Sequence, residues 1–266
     1  MTTATRQRPV GQLLREWRDR RRISQLDLAI EAEISTRHLS FVETGRSQPS
    51  REMVLKLGEH LDVPLRARNQ LLLAAGYAPA YAETGLADPE MAAARQAVRQ
   101  LLASHEPYPA AVVDRHWNLV EANASIGIMV EDVDPSLLTN VLRATLHPDG
   151  MAPNIVNLGE WRAHLLGRLR RQVAQTADPV LTELLDELRG YPCDQPVPEV
   201  EVPAPGDIII PLRLRHHGTE LTFFSTVATF GTPLDITLAE LVIESFFPAD
   251  TPTAEYLRRG WQDTRG

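Results

Sequence analysis

Residues 24–52, SQLDLAIEAEISTRHLSFVETGRSQPSRE, decide how this chain is to be read. Ser24 is a good helix N-cap, and Asp27 three residues later can answer its backbone N–H. Leu26, Leu28, Ala29 and Ala32 then form an apolar stripe at helical spacing. Ser35 caps a second short helix in which Leu39 and Val42 point inward, leaving Thr36, Arg37, Ser40 and Phe41 on its other faces. Gly45 and Pro49 mark a chain reversal, and Ser50 caps the next helix.

Two helices across a tight turn fit the helix-turn-helix, whose second helix enters the major groove of double-stranded DNA. The pattern S-Q-x-x-L-A-x-x-A-x-x-S-x-x-x-L-S-x-x-E-x-G-R-x-x-P-S over 24–50 resembles the XRE (lambda-repressor-like) family. The resemblance implies an all-α five-helix head and a DNA operator as partner. It also implies that Gln25 touches a phosphate and buttresses the recognition helix. The DNA-contacting set drawn from the motif is Gln25, Ser35, Thr36, Arg37, Ser40, Arg46 and Ser47. Thr36, Arg37 and Ser40 should face base edges, where Arg suits guanine. Arg46 and Ser47, just past Gly45, should meet phosphates. Glu33 departs from the family, which often has Gly in this turn. A positive φ there strains a residue with a Cβ by about 1 kcal/mol or more.

Working outward, a first helix over 10–22 carries Val10, Leu13, Leu14 and Trp17, and its Arg20-Arg21-Arg22 run is either a phosphate contact or a solvated helix end. Helices over 50–61 and from Pro64 to Gly76 complete the head. Residues 1–80 hold 13 Lys and Arg against 9 Asp and Glu, whereas the rest holds 14 against 26. A basic head on an acidic body suits DNA contact confined to the head. The 43% hydrophobic and 23% charged composition suits a chain with a real core, and 266 residues make one large or two ordinary domains. There is no apolar run of about 18 residues and no N-terminal h-region, so neither a membrane span nor a secretory signal is expected. Cys193 is the lone cysteine, which fits a cytoplasmic protein and reads as non-catalytic.

Beyond the head, NQLLLAAGYAPAY (69–81), HEPYPAAVVDRHWNLVEAN (105–123) and HPDGMAPNIVNLGEWRAHLLGRLRR (147–171) resemble the MmyB-like regulators, over nearly the full length. These join an XRE head to a PAS-like ligand-binding domain. The resemblance implies domains at 1–80 and 105–258 around a linker helix at 81–104, and an apolar, fatty-acid-like effector. The residues agree on an α+β second domain. Asp88-Pro89 opens the linker helix. Strands are expected at 111–114 and 117–120, with a helix from Asn123. Further helices should run from Asp134 to Leu146, over 160–173 and from Asp178. The Pro-rich stretch 191–206 should be a loop. Three late strands should follow: one carrying Ile208, Ile210, Leu212 and Leu214, a central one over 221–230, and one over 237–247. Together they make a five-stranded antiparallel sheet with a cavity against the helices.

Candidates for the cavity wall are Ile128, Leu142, Leu146, Trp161, Leu165, Phe223 and Phe230. A carboxylate head would need a cation, and Arg143 or Arg162 is the nearest candidate, with Arg168, Arg170 and Arg171 on the same helix. His216-His217 reads as a hairpin tip. No H-E-x-x-H, C-x-x-C or phosphate-cradling Gly loop is present, so no metal, cofactor or catalytic set is called for. The sequence therefore points to a DNA-binding regulator, a homodimer on a two-fold operator. Two alternatives stay open: a constitutive DNA-binding protein whose second domain only dimerises, and a metabolic enzyme with a regulatory head.

Overall fold

The computed structural model describes residues 8–196, 210–231 and 233–263. The expected positions of Ile208, the Pro-rich stretch 197–206 and the first seven residues lie outside them. The chain divides into two compact units, Met1–Glu83 with Pro233–Ala239, and Thr84–Thr232 with Glu240–Gly266.

Among the described residues, the N-terminal segment of the first unit forms five helices: α1 (Val10–Arg21), α2 (Gln25–Glu31), α3 (Thr36–Glu43), α4 (Arg51–His60) and α5 (Leu65–Ala74). Local chemistry starts three of them. Ser24, Ser35 and Ser50 accept the backbone N–H of Asp27, His38 and Met53 at 3.1, 3.1 and 3.2 Å. Leu14, Leu28, Leu39, Leu57 and Leu72 are buried in one core beneath them. Gly11 is required there, because a Cβ would overlap the Val42 carbonyl oxygen. The turn between α2 and α3 does place Glu33 at φ +53°, and its carboxylate meets Lys56 at 2.8 Å.

Among the described residues, the second unit is built on five strands: β1 (Ala110–Val113), β2 (Leu119–Ala122), β3 (Leu212–His216), β4 (Thr219–Thr229) and β5 (Val242–Pro248). They run in the order β2-β1-β5-β4-β3, with every pair antiparallel, which is the PAS-like arrangement. Helix α6 (Ala92–Ser104) lies against one face. The other face is covered by α7 (Gly127–Val130), α8 (Val141–Leu146) and α9 (Leu158–Thr176), with α10 (Pro179–Arg189) packed on α9.

The elements depart from expectation at several points. The helix read as continuous from Asp134 to Leu146 is a 3-10 turn (Pro135–Thr139) followed by α8. Asn140 breaks it, because its extended backbone (φ −137°) turns its side chain into a new cap for Leu142 and Arg143. The strand read over 237–247 begins only at Val242. Asp235 Oδ1 accepts the Thr237 N–H at 2.8 Å and starts a single helical turn, α11 (Ile236–Ala239), which belongs to the first unit. The middle strand is β5, and β4 lies between it and β3; its Leu221 and Phe223 are buried, but Thr226–Thr229 are exposed. Finally, a further helix, α12 (Thr251–Asp263), follows β5. Asp250 Oδ1 caps it through the Thr253 N–H at 2.7 Å.

Candidate functional site

The outward face of the first unit is assembled by α3 and the loop after it. Thr36 and Ser40 stand one turn apart on the same side of α3. Arg37 and Arg46 are both exposed, and their guanidinium groups lie over the Phe41 ring at 5.4 and 5.9 Å from its centroid. The loop reaches Phe41 because the N–H groups of Arg46 and Ser47 donate to the Phe41 carbonyl at 2.8 and 3.1 Å. Ser35 is spent as the helix cap.

Gln25 takes part in a buried network. Its Nε2 donates to Glu43 at 2.6 Å, and Arg18 donates to the same carboxylate at 2.7 and 3.1 Å. The Glu43 bond holds Arg18 above the ordinary guanidinium value, although burial pulls the other way. The network ties α1, α2 and α3 together, so the orientation of α3 is set from behind. Glu43 is a fixed position of the helix-turn-helix pattern, but its pairing with Arg18, 25 positions away, leaves no local signal in the sequence. In the Arg20–Arg22 run, Arg21 donates to the Leu61 and Asp62 carbonyls at 2.9 and 2.6 Å. It closes the end of α4.

The second unit contains an apolar cavity of about 190 Å³ between the sheet and α7–α9. Val113, Trp117, Met129, Val130, Leu142, Trp161, Leu165, Leu212 and Phe246 are on its wall. Of the residues chosen from sequence, Leu142, Trp161 and Leu165 are brought together here. Leu146 and Phe223 are fully buried in the adjoining core. Ile128 faces a separate surface cleft beside α12, and Phe230 lies on the α6 side of the sheet. The two arginines do not reach the wall. Arg143 is held by Glu187 on α10 in two bonds of 2.8 and 2.7 Å. Arg162 donates to the Leu188 and Arg189 carbonyls at 3.1 and 2.8 Å, at the C-terminal end of α10 where a cation suits the helix dipole.

A different pair supplies the polarity. Glu244 is the acidic residue on the wall, and it is buried. Arg168 donates to it at 3.1 Å while lying 4.4 Å from the centroid of the Trp117 ring. Burial pushes the Glu244 carboxyl above the usual carboxylate range, against the opposing pull of Arg168. Trp161, Leu165 and Arg168 follow one another at i, i+4 and i+7 along α9, so their shared side was readable from sequence. The Glu244 partner was not. Trp161 Nε1 is buried without a hydrogen-bond partner, whereas Trp117 Nε1 donates to Gln172 at 2.8 Å.

The family described as "MmyB-like transcription regulator ligand binding domain" matches residues 94–259, more than half of the chain. The chain belongs to the MmyB-like transcription regulators. A "Helix-turn-helix domain" match over residues 9–71 covers α1–α4 and most of α5. This MmyB-like protein is therefore a DNA-binding transcription regulator with a PAS-like ligand-binding domain. No curated protein matches the chain. Among solved structures, it is similar to the clp gene regulator ClgR from Corynebacterium glutamicum, with 23% identity, 37% of this chain and 90% of that chain covered, and a TM-score of 0.23. The PAS domain of Bordetella pertussis BvgS matches with 15% identity, 65% and 98% coverage, and a TM-score of 0.30. An RNA-binding Light-Oxygen-Voltage receptor matches with 11% identity, 96% and 63% coverage, and a TM-score of 0.31. At such scores the PAS-like assignment of the MmyB-like domain rests on its strand order. No helix among the described residues is long and apolar enough to cross a membrane.

Proposed function

We propose that this MmyB-like regulator works in the cytoplasm as a homodimer that reads a two-fold DNA operator through residues 1–80. Residues 105–258, joined through the linker at 81–104, sense a small apolar, fatty-acid-like effector. On the DNA side, Thr36, Arg37 and Ser40 read base edges, Arg46 and Ser47 hold phosphates, and Gln25 with Ser35 fixes the reading helix.

The observation that carries the effector reading is an apolar cavity whose wall includes a buried, unpartnered indole N–H on Trp161. An orphan donor of this kind is costly unless a guest supplies an acceptor. A ligand with an alkyl body and a carboxylate or carbonyl head would do both, each buried methylene contributing about 0.8 kcal/mol. Size limits the guest. The cavity of about 190 Å³ exceeds the roughly 150 Å³ that admits benzene but falls short of the roughly 300 Å³ of ordinary ligand pockets. Short and medium chains fit this reading, and longer ones require the α7 wall to yield. The same small size favours the second reading, a constitutive DNA-binding protein whose second domain only dimerises.

Thermal melts of the delipidated full chain across C8–C16 fatty acids separate the two. A bound effector should raise the melting temperature with chain length and then level off, as linkage requires. Trp161→Phe keeps an aromatic ring and removes the donor, so it should shrink the shift for acids. Flat melts across the series would refute the fatty-acid effector and favour the dimeriser.

A further inference from the structure

On the surface of the second unit, two imidazoles and a carboxylate converge. Glu131 follows α7, and His216 and His217 close the β3–β4 hairpin. The Nε2 atoms of His216 and His217 lie 2.9 and 3.2 Å from the same oxygen, Glu131 Oε2. One ligand atom from each residue lies within 4.8 Å of the others. We propose that Glu131, His216 and His217 form a binding site for a borderline divalent transition-metal ion such as Zn²⁺.

Three features support the site. The first is the donor set itself. Two imidazole nitrogens and one carboxylate oxygen are ligands that Zn²⁺ accepts, and three protein ligands leave a fourth position for a solvent or ligand donor. The second is how His216 is held. Its Nδ1 lies 2.9 Å from the Tyr256 hydroxyl on α12. Metal-bound imidazoles usually engage a partner through the second ring nitrogen, which orients the ring. A tyrosine hydroxyl both donates and accepts, so it can serve His216 whichever nitrogen carries the proton.

The third feature is backbone geometry. Consecutive residues of an extended strand point to opposite sides. Here the two rings stack, with centroids 4.1 Å apart. His217 achieves this at φ +46°, followed by Gly218 at φ +79°. Two positive φ values suit a two-residue hairpin turn, in which Asn or Gly is the ordinary first residue. The turn explains the φ; it does not explain an imidazole there, aimed at Glu131 beside a second imidazole. A divalent cation binds imidazoles through their ring-nitrogen lone pairs and is balanced in part by the carboxylate. The ligand atoms must draw closer together to share one ion, and His217, exposed at its hairpin tip, is free to turn.

The site lies in the surface cleft beside α12 that Ile128 also lines. An ion joining Glu131 to the hairpin would tether the end of α7 to β3.

The test uses the full chain, free of affinity tags and stripped with chelator, titrated with Zn²⁺ against a chromophoric competitor and with Co²⁺ by absorption. The expected result is one equivalent bound and a Co²⁺ spectrum of low coordination number. His217→Asn keeps a residue that tolerates positive φ and removes the ligand. Glu131→Gln removes the carboxylate charge. Each should weaken binding at least tenfold, with circular dichroism unchanged, while His60→Gln in the first unit should leave it unaltered. Absence of stoichiometric binding, or equal binding by the wild type and both variants, would overturn the proposal.

Discussion

The helix-turn-helix and the cavity place their chemistry in opposite ways. Around α3, the candidate residues point outward from one short stretch of chain, and Ser35 and the Phe41 carbonyl position them locally. Around the cavity, Trp117, Trp161, Arg168 and Glu244 come from β-strand, loop and helix, up to 127 positions apart in the chain. The first arrangement is set by capping and turn geometry. The second exists only when the sheet is closed. The α3 face does depend on long-range support at one point, the buried Arg18–Glu43–Gln25 network behind α3.

That support gives the sharpest way to break the contrast. Glu43→Ala leaves the largely buried Arg18 with the carboxylate of its exposed neighbour Asp19 at 3.0 Å, and losing one partner of a buried pair costs about 3–5 kcal/mol. Denaturant unfolding followed by a probe in the first unit should show the loss, and a probe in the second unit should not. Equal loss in both would mean that the two regions are not separable in stability.

A smaller effect should come from the reading face. Arg37→Ala is expected to cost about 1–3 kcal/mol on the specific operator and to relax the sequence preference at one position. Arg46→Ala should weaken specific and non-specific DNA alike and lower the salt slope by about one. Binding titrations at several salt concentrations check both. An unchanged preference in Arg37→Ala would move the reading face elsewhere.

The smallest effect tests the cavity. Glu244 has its carboxyl raised by burial, so the folded chain holds a proton that the unfolded chain has already released. Stability from this group is present at low pH and declines as pH rises above the ordinary value of 4.5 toward the raised folded value. Glu244→Gln should therefore flatten the stability–pH curve over that window and be relatively more stable at neutral pH. Parallel wild-type and mutant curves would show that Glu244 is not the titrating group.

Much of the scaffold was legible. Ser24, Ser35, Ser50 and Asp178 each start a helix where the sequence places a cap, and the apolar spacing in α9 and α10 is what packs inward. Other helix and strand boundaries also have local signals. Asp250 before Thr251-Pro252 marks α12 as plainly as Asp88-Pro89 marks the linker helix, and Asp235 ends any continuous strand before Val242. Glu244 was different in kind. The alternation along β5 rightly sets it opposite Ile243 and Phe247, but alternation cannot say which face a helix will cover. Both are covered here, so a carboxylate ends up inside.

The sequence by itself determined the helix-turn-helix, its turn at Glu33, and the membership of a five-stranded α+β domain. Caps, turn residues and apolar periods act over three to seven positions, and their meaning does not depend on distant partners. Only the tertiary structure decided which arginine meets the carboxylate on the cavity wall. Arg143, Arg162 and Arg168 look alike along the chain. Arg143 meets Glu187, Arg162 meets the end of α10, and Arg168 meets Glu244. The same holds for His216 and His217, which the chain shows as a hairpin tip and the fold sets against a carboxylate 85 residues earlier than His216. A charge acquires its role from the one group that comes within a few ångströms of it, and that distance is a property of the packed chain.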